Sequence, residues 1–210
     1  MCSHIKICGL SDEENVRAAV KAGADYVGFV HFARSPRHVS LECAAELKAL
    51  LPRSVSSVLV VVDPDDALLA EIAAILAPDY LQLHGAETPE RVAEIRAHTP
   101  TQKLIKAIGV ASADDLASAR AYQASVDMLM FDAKPTVLPG GNGVAFDWTL
   151  LAGFHSARPW MLSGGLDADN ITTAIAQSGA DIVDVSSGVE SAPGVKDAAK
   201  IVAFIEAVQG

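Results

Sequence analysis

The sequence is poor in cysteine, and the three it has, Cys2, Cys8 and Cys43, form no CxxC pair and no zinc-type spacing. An odd number of thiols with no secretion signal points away from a disulfide scaffold and toward free thiols in a reducing cytosol. Basic residues are scarce too, with 16 Lys and Arg against 26 Asp and Glu and a net charge of -10. The basic face or stripe of a nucleic-acid binder is therefore missing. Long apolar runs are also absent. The stretches 58–62 and 67–77 are too short, or too interrupted by charge, to cross a membrane. The first residues lead straight into an apparent strand, without the charged and then apolar pattern of a targeting segment. These absences predict a soluble, cytoplasmic protein whose partner is neither nucleic acid nor membrane. An anionic small molecule would have to be met by a few local cations and helix N-termini, because the overall field opposes it.

Half of the residues are apolar and a fifth are charged, enough to fill a large core and too few charges for a disordered chain. A length of 210 residues suits one α/β barrel, so a single domain over 1–210 is expected. Short runs rich in β-branched residues occur at 4–8, 26–30, 57–62, 80–84, 104–108, 128–132, 160–163 and 182–186. Helical patterns lie between them at 12–22, 41–51, 65–76, 89–98, 114–122, 169–178 and 197–208, with a short helix at 146–151. Asp12, Ser40, Asp65, Thr88, Asp114 and Asp169 stand where helices open, and Gly23, Pro52, Pro78 and Gly179 where they close. The alternation implies a parallel sheet, and eight units fit a closed (β/α)8 barrel better than an open doubly wound sheet. An internal echo, Ala22-Gly23-Ala24-Asp25 against Ser178-Gly179-Ala180-Asp181, fits a modular barrel. The one long connection, 133–145, is Gly-rich and follows the sixth strand, where a functional loop is expected.

In such a barrel the chemistry sits at the C-terminal ends of the strands. Side-chain alternation places Lys6 and Cys8 inward on the first strand and Gln82 and His84 inward on the fourth. It does the same for Asp132 on the sixth, and for Asp184 and Ser186 on the eighth. Each has a bland reading. Cys8 alone is a small buried hydrophobe. Asp132 alone is a loop cap, His84 a turn histidine and Lys6 a side chain snorkelling from the barrel floor. Convergence of four strands on one volume favours function. The pairs Gly164-Gly165 after strand seven and Ser187-Gly188 after strand eight are small residues where barrels of this kind admit a phosphate to backbone N–H groups.

The blocks Lys6-Ile7-Cys8-Gly9-Leu10, Gly28-Phe29-Val30, Ser35-Pro36-Arg37 and Gln82-Leu83-His84-Gly85 then take on a joint meaning. With Gly140-Gly141-Asn142-Gly143, Phe146-Asp147-Trp148, Ser163-Gly164-Gly165-Leu166, the run 184–190 and Pro193-Gly194-Val195-Lys196-Asp197, the chain resembles the phosphoribosylanthranilate isomerase family. The match runs in order from the first strand to the last helix. The resemblance implies a step of tryptophan biosynthesis, an Amadori rearrangement that needs no metal and no organic cofactor. By that likeness Asp132 is the general acid and Cys8 the general base. Arg37 binds the anthranilate carboxylate. Gly164, Gly165, Ser187 and Gly188 hold the phosphate with the Gly141–Gly143 loop closing nearby, and Lys6, His84 and Asp184 line the site. A thiol needs a modest depression to act as base near neutral pH, and Lys6 is expected to supply it. A carboxyl group needs the opposite push, expected from a partly desolvated barrel mouth.

Asn142 and Val144 depart from the family's usual loop, and Leu59 stands where glycine is common. The rivals are another phosphosugar barrel enzyme, including an aldolase with Lys106 as its Schiff-base lysine, and a non-catalytic sensor of a phosphorylated ligand. Monomer and homodimer both agree with the composition.

Overall fold

Eight short runs of β-branched and apolar residues extend into strands that pair side by side until the first meets the last. The computed structural model describes residues 4–134 and 146–210. Its strands are β1 His4–Cys8, β2 Tyr26–Val30, β3 Ser56–Val61, β4 Tyr80–Leu83, β5 Lys103–Val110, β6 Met128–Ala133, β7 Trp160–Leu162 and β8 Ile182–Val185. All eight pair in parallel in sequence order, and β1 closes on β8 with Lys6 opposite Asp184. The open doubly wound alternative is excluded by that closure. Helices α1 Glu13–Ala22, α2 Leu41–Lys48, α3 Asp66–Ile75, α4 Pro89–His98, α5 Ala113–Ser118, α6 Ile171–Ser178 and α7 Ala198–Gln209 occupy the connections. Single 3-10 turns cover Ala119–Tyr122, Trp148–Leu151 and Ser187–Val189. After the last of these, a small antiparallel hairpin pairs β9 Glu190–Ala192 with β10 Val195–Lys196.

Alternation along each strand divides the apolar residues into two layers. Outward side chains such as Ile7, Phe29, Leu59, Leu81 and Phe131 are fully buried beneath the helices. Each gains about 1.5–3 kcal/mol by leaving water. Leu59 belongs to this layer, so its departure from glycine is a matter of packing. Inward side chains fill the lower barrel with Val58, Ile105, Met128, Met130, Met161 and Ile182.

Side chains of Asp12, Ser40, Asp65 and Thr88 each accept the backbone N–H three residues on, as N-caps do. Two expected caps move. Ser112 opens α5 in a capping box with Asp115, which leaves Asp114 inside the first turn, and Asn170 rather than Asp169 precedes α6. Gly23 and Gly179 end their helices in the left-handed conformation at φ 107° and 72°.

At the N-terminal rim the even-numbered strands share a device. Asp25, Asp79 and Asp127 directly precede β2, β4 and β6, and their carboxylates accept the backbone N–H of Ile5, Ser57 and Leu104, each at 2.8 Å. Those N–H donors lie in the preceding odd strand. Asp181 stands in the same place before β8, and its backbone carbonyl accepts the N–H of His4 at 3.1 Å. Among the described residues, no helix is long and apolar enough to cross a membrane.

Candidate active site

Above the apolar floor the inward side chains become polar. Lys6 is fully buried, and its Nζ donates to Asp184 Oδ1 at 2.8 Å. The Ser163 hydroxyl donates to Asp184 Oδ2 at 2.9 Å. Burial opposes the charge of Lys6, but Asp184 and the Cys8 sulfur hold its ammonium above the ordinary value. Cys8 lies one inward position further up β1, next to Gly28 of β2. A Cβ at Gly28 would sit 2.9 Å from the Cys8 sulfur, so only glycine leaves the thiol its place.

The electrostatics of Cys8 correct one expectation. Burial pushes the thiol above its usual value, Lys6 and Lys196 pull it down, and Asp184 pushes it up again. The net direction is up, not down. Burial outweighs the pull of Lys6, which Asp184 partly offsets.

Across the mouth, Asp132 near the end of β6 meets His84 with 3.2 Å between Oδ2 and Nε2. Its Oδ1 accepts the Ala133 N–H at 2.8 Å. Gln82 Nε2 lies 2.9 Å from His84 Nδ1. Cys8, Arg37, Gln82, His84, Asp132 and Asp184 all line one cavity at the C-terminal ends of the strands, where barrels bind small molecules.

Arg37, between β2 and α2, lies on the cavity wall and grips Glu190 with Nε and Nη2 at 2.6 and 2.8 Å. Glu190 and Lys196, which share this ion cluster, were missed as functional residues by sequence reasoning. The signal available was the closing block 193–197, which carries Lys196. The loops after β7 and β8 are built for close approach. Gly164 adopts φ 91°, and a Cβ there would lie 2.5 Å from the Ala133 nitrogen and 2.9 Å from Asp132 Oδ1. Gly165 adopts φ 66°, and its carbonyl accepts from Asn170 Nδ2 at 2.8 Å. A Cβ at Gly188 would lie 2.0 Å from the Leu166 carbonyl oxygen. Ser187 and Gly188 thus form a turn directly over the β7 loop.

Lys106 does not join this site. Its neighbours Ile105 and Ala107 occupy the barrel interior, so Lys106 points outward, where it pairs with Glu87 at 2.8 Å. That position removes the support for a Schiff-base aldolase. Gly141, Gly143, Asn142 and Val144 lie outside the described residues.

Residues 5–207 match the family described as N-(5'phosphoribosyl)anthranilate (PRA) isomerase. The N-(5'-phosphoribosyl)anthranilate isomerase of Azorhizobium caulinodans is 55% identical over 212 residues, covering 100% of this chain and 92% of the relative. That of Parvibaculum lavamentivorans is 52% identical and covers 100% of this chain and 99% of the relative. The crystal structure of phosphoribosyl anthranilate isomerase from Thermotoga maritima superposes with a TM-score of 0.89 at 35% identity over 99% of both chains. A phosphoribosyl anthranilate isomerase in complex with reduced 1-(o-carboxyphenylamino)-1-deoxyribulose 5-phosphate gives a TM-score of 0.85 at 33% identity, again over 99% of both. The closed barrel, the polar mouth and these likenesses agree that the chain belongs to the N-(5'-phosphoribosyl)anthranilate isomerase family and performs the isomerase step of tryptophan biosynthesis.

Proposed function

We propose that Cys8 is the general base and Asp132 the general acid of this isomerisation, in one catalytic domain spanning the chain. The carrying observation is that the two groups, on β1 and β6, face a single cavity at the C-terminal ends of the strands. Asp132 gives its proton to the ribose ring oxygen as the C1′–O bond breaks, and the anthranilate nitrogen supplies the electrons of the resulting Schiff base. The Cys8 thiolate takes the C2′ proton, and the electrons of that C–H bond form the C1′–C2′ double bond of the enolamine. Tautomerisation gives the ketone. A thiolate of raised pKa is scarcer at neutral pH but a stronger base once formed.

Arg37 receives the anthranilate carboxylate. Gly164, Gly165, Ser187 and Gly188 hold the phosphate by backbone N–H groups, while Lys6, His84 and Asp184 complete the lining. The glycine clashes described above are what support this phosphate cradle, since each marks a wall without room for a side chain. The ligand is thus an anionic phosphosugar, and the enzyme works in the cytoplasm as a monomer or homodimer. Thermotoga maritima provides a dimeric relative from which monomers were generated.

Freshly generated N-(5'-phosphoribosyl)anthranilate loses its anthranilate-like fluorescence as it reacts. Rapid decay with wild type and near-background decay with Cys8→Ala is the expected pair of results. Equal decay with both proteins would remove Cys8 from its role, and tight binding with no turnover in wild type would indicate a sensor.

A further inference from the structure

We propose that Glu190 is a positioning residue that sets the reach between the two anion-binding ends of the substrate. It does so by fixing the Arg37 guanidinium and, through Lys196, the loop after β8. This inference rests on the reading of Arg37 as the carboxylate anchor and of Ser187-Gly188 as part of the phosphate cradle.

Glu190 stands behind the cavity rather than in it. Its Oε1 accepts Arg37 Nε at 2.6 Å and Lys196 Nζ at 2.8 Å. Its Oε2 accepts Arg37 Nη2 at 2.8 Å and the Gly194 N–H at 3.2 Å. Four donors exhaust the acceptor sites of one carboxylate, so Glu190 has no capacity to bind a sugar hydroxyl or take a proton. It can act only through its partners. Glu190, Arg37 and Lys196 side chains are 5, 9 and 0% exposed, so these contacts are shielded from solvent. Although burial opposes its charge, Arg37 and Lys196 hold the Glu190 carboxyl below its ordinary value.

Each partner leads to a different end of the cavity. The two-pronged grip on Arg37 fixes the plane of the guanidinium, which single contacts would leave free to turn. Lys196 Nζ donates to the Ser186 carbonyl at 2.8 Å and lies 3.2 Å from its hydroxyl, tying the residue before Ser187 to the same carboxylate. Backbone contact reinforces the arrangement. Gly194, at the turn of the β9–β10 hairpin, adopts φ 82°, and a Cβ there would lie 2.4 Å from the Pro36 carbonyl oxygen. The hairpin that carries Glu190 is therefore pressed against the residue preceding Arg37. Gly9 closes the group from the barrel side, because a Cβ there would lie 2.7 Å from Arg37 Cδ and 3.3 Å from Ser186 Oγ.

The test is steady-state kinetics on wild type, Glu190→Gln, Arg37→Lys and the double variant, with inorganic phosphate as a competing probe and thermal melts as a control. Glu190→Gln should raise KM by about 10- to 100-fold while kcat changes by no more than about threefold, the pattern of lost alignment in binding. It should also weaken inhibition by phosphate, which Arg37→Lys should leave alone. In KM, Glu190→Gln should do less harm in the Arg37→Lys background than in wild type, because its route through Arg37 is already lost and only its route through Lys196 to the phosphate loop remains. Independent, fully additive effects of the two changes, or a fall in kcat with KM unchanged, would overturn the inference. An unchanged KM in Arg37→Lys itself would instead overturn the carboxylate-anchor reading. If Glu190→Gln does not fold, Gly194→Ala displaces the hairpin from Pro36 with Glu190 intact. The same KM increase then supports the inference, and a wild-type KM refutes it.

Discussion

The wall of the mouth built from β1, β2 and β8 is crowded with buried ions, whereas among the described residues the opposite wall, from β4 and β6, holds one histidine–carboxylate contact. Around Cys8, Lys6 is matched by Asp184, while Lys196 shares the Glu190 carboxylate with Arg37. Around Asp132 the neighbours are His84 and the backbone N–H of Ala133. Number of charges does not decide the outcome. Burial of the thiol outweighs the pull of Lys6 and Lys196, and Asp184 works against that pull, so the pKa rises despite two ammonium groups nearby.

The comparison breaks most visibly when the reacting groups are removed. Cys8→Ser and Asp132→Asn should each lower kcat on the order of 10²- to 10⁴-fold while circular dichroism and melting stay near wild type. A folded variant with near-normal turnover would release that wall from acid–base chemistry. The next effect concerns Lys6. Lys6→Met leaves Asp184 buried without its ion partner and should cost about 3–5 kcal/mol in denaturant unfolding. The combined Lys6→Met/Asp184→Leu change should recover most of that loss.

The same variant sharpens the electrostatic claim. With Cys8 as the proposed base, its thiol held above the ordinary cysteine value means that kcat/KM should climb with pH through neutrality toward the alkaline side. Lys6 pulls the thiol down, so Lys6→Met should move that rise to still higher pH. A wild-type profile flat from about pH 6 to about 9 would contradict the raised thiol. The smallest effect is expected at the phosphate loops. Gly164→Ala puts a methyl group against the Ala133 nitrogen at positive φ, and should raise KM by about tenfold and cost about 1–2 kcal/mol of stability. Phosphate inhibition measured beside the melts separates those two losses.

Much of this was legible in the sequence. The strands were readable to within a residue or two because inward and outward faces both demand apolar or β-branched side chains. Strand alternation alone also put Lys6, Cys8, His84 and Asp132 inward. The helix openings at Asp114 and Asp169 were misread because any polar residue near a boundary looks like a cap, and only the backbone shows which one accepts the N–H. The sign of the Cys8 shift was hidden because Lys6 and Asp184 are 178 residues apart and meet only on barrel closure. Glu190 escaped for the same reason, since 153 residues separate it from Arg37.

The aspartates at the N-terminal rim bear on how the chain is divided. Asp25, Asp79 and Asp127 each lock an even strand to the odd strand before it, so the carboxylate fixes their relative stagger within a short stretch of chain. The stagger within β1–β2, β3–β4 and β5–β6 is thus specified pair by pair, and β8 is tied at the same rim to β1. An interruption of the chain between pairs leaves every lock with its own strands, whereas one placed inside a pair parts the carboxylate from the amide it holds. In that sense the first six strands of the ring are an assembly of three two-stranded units, and the seams between those units run through alternate connections.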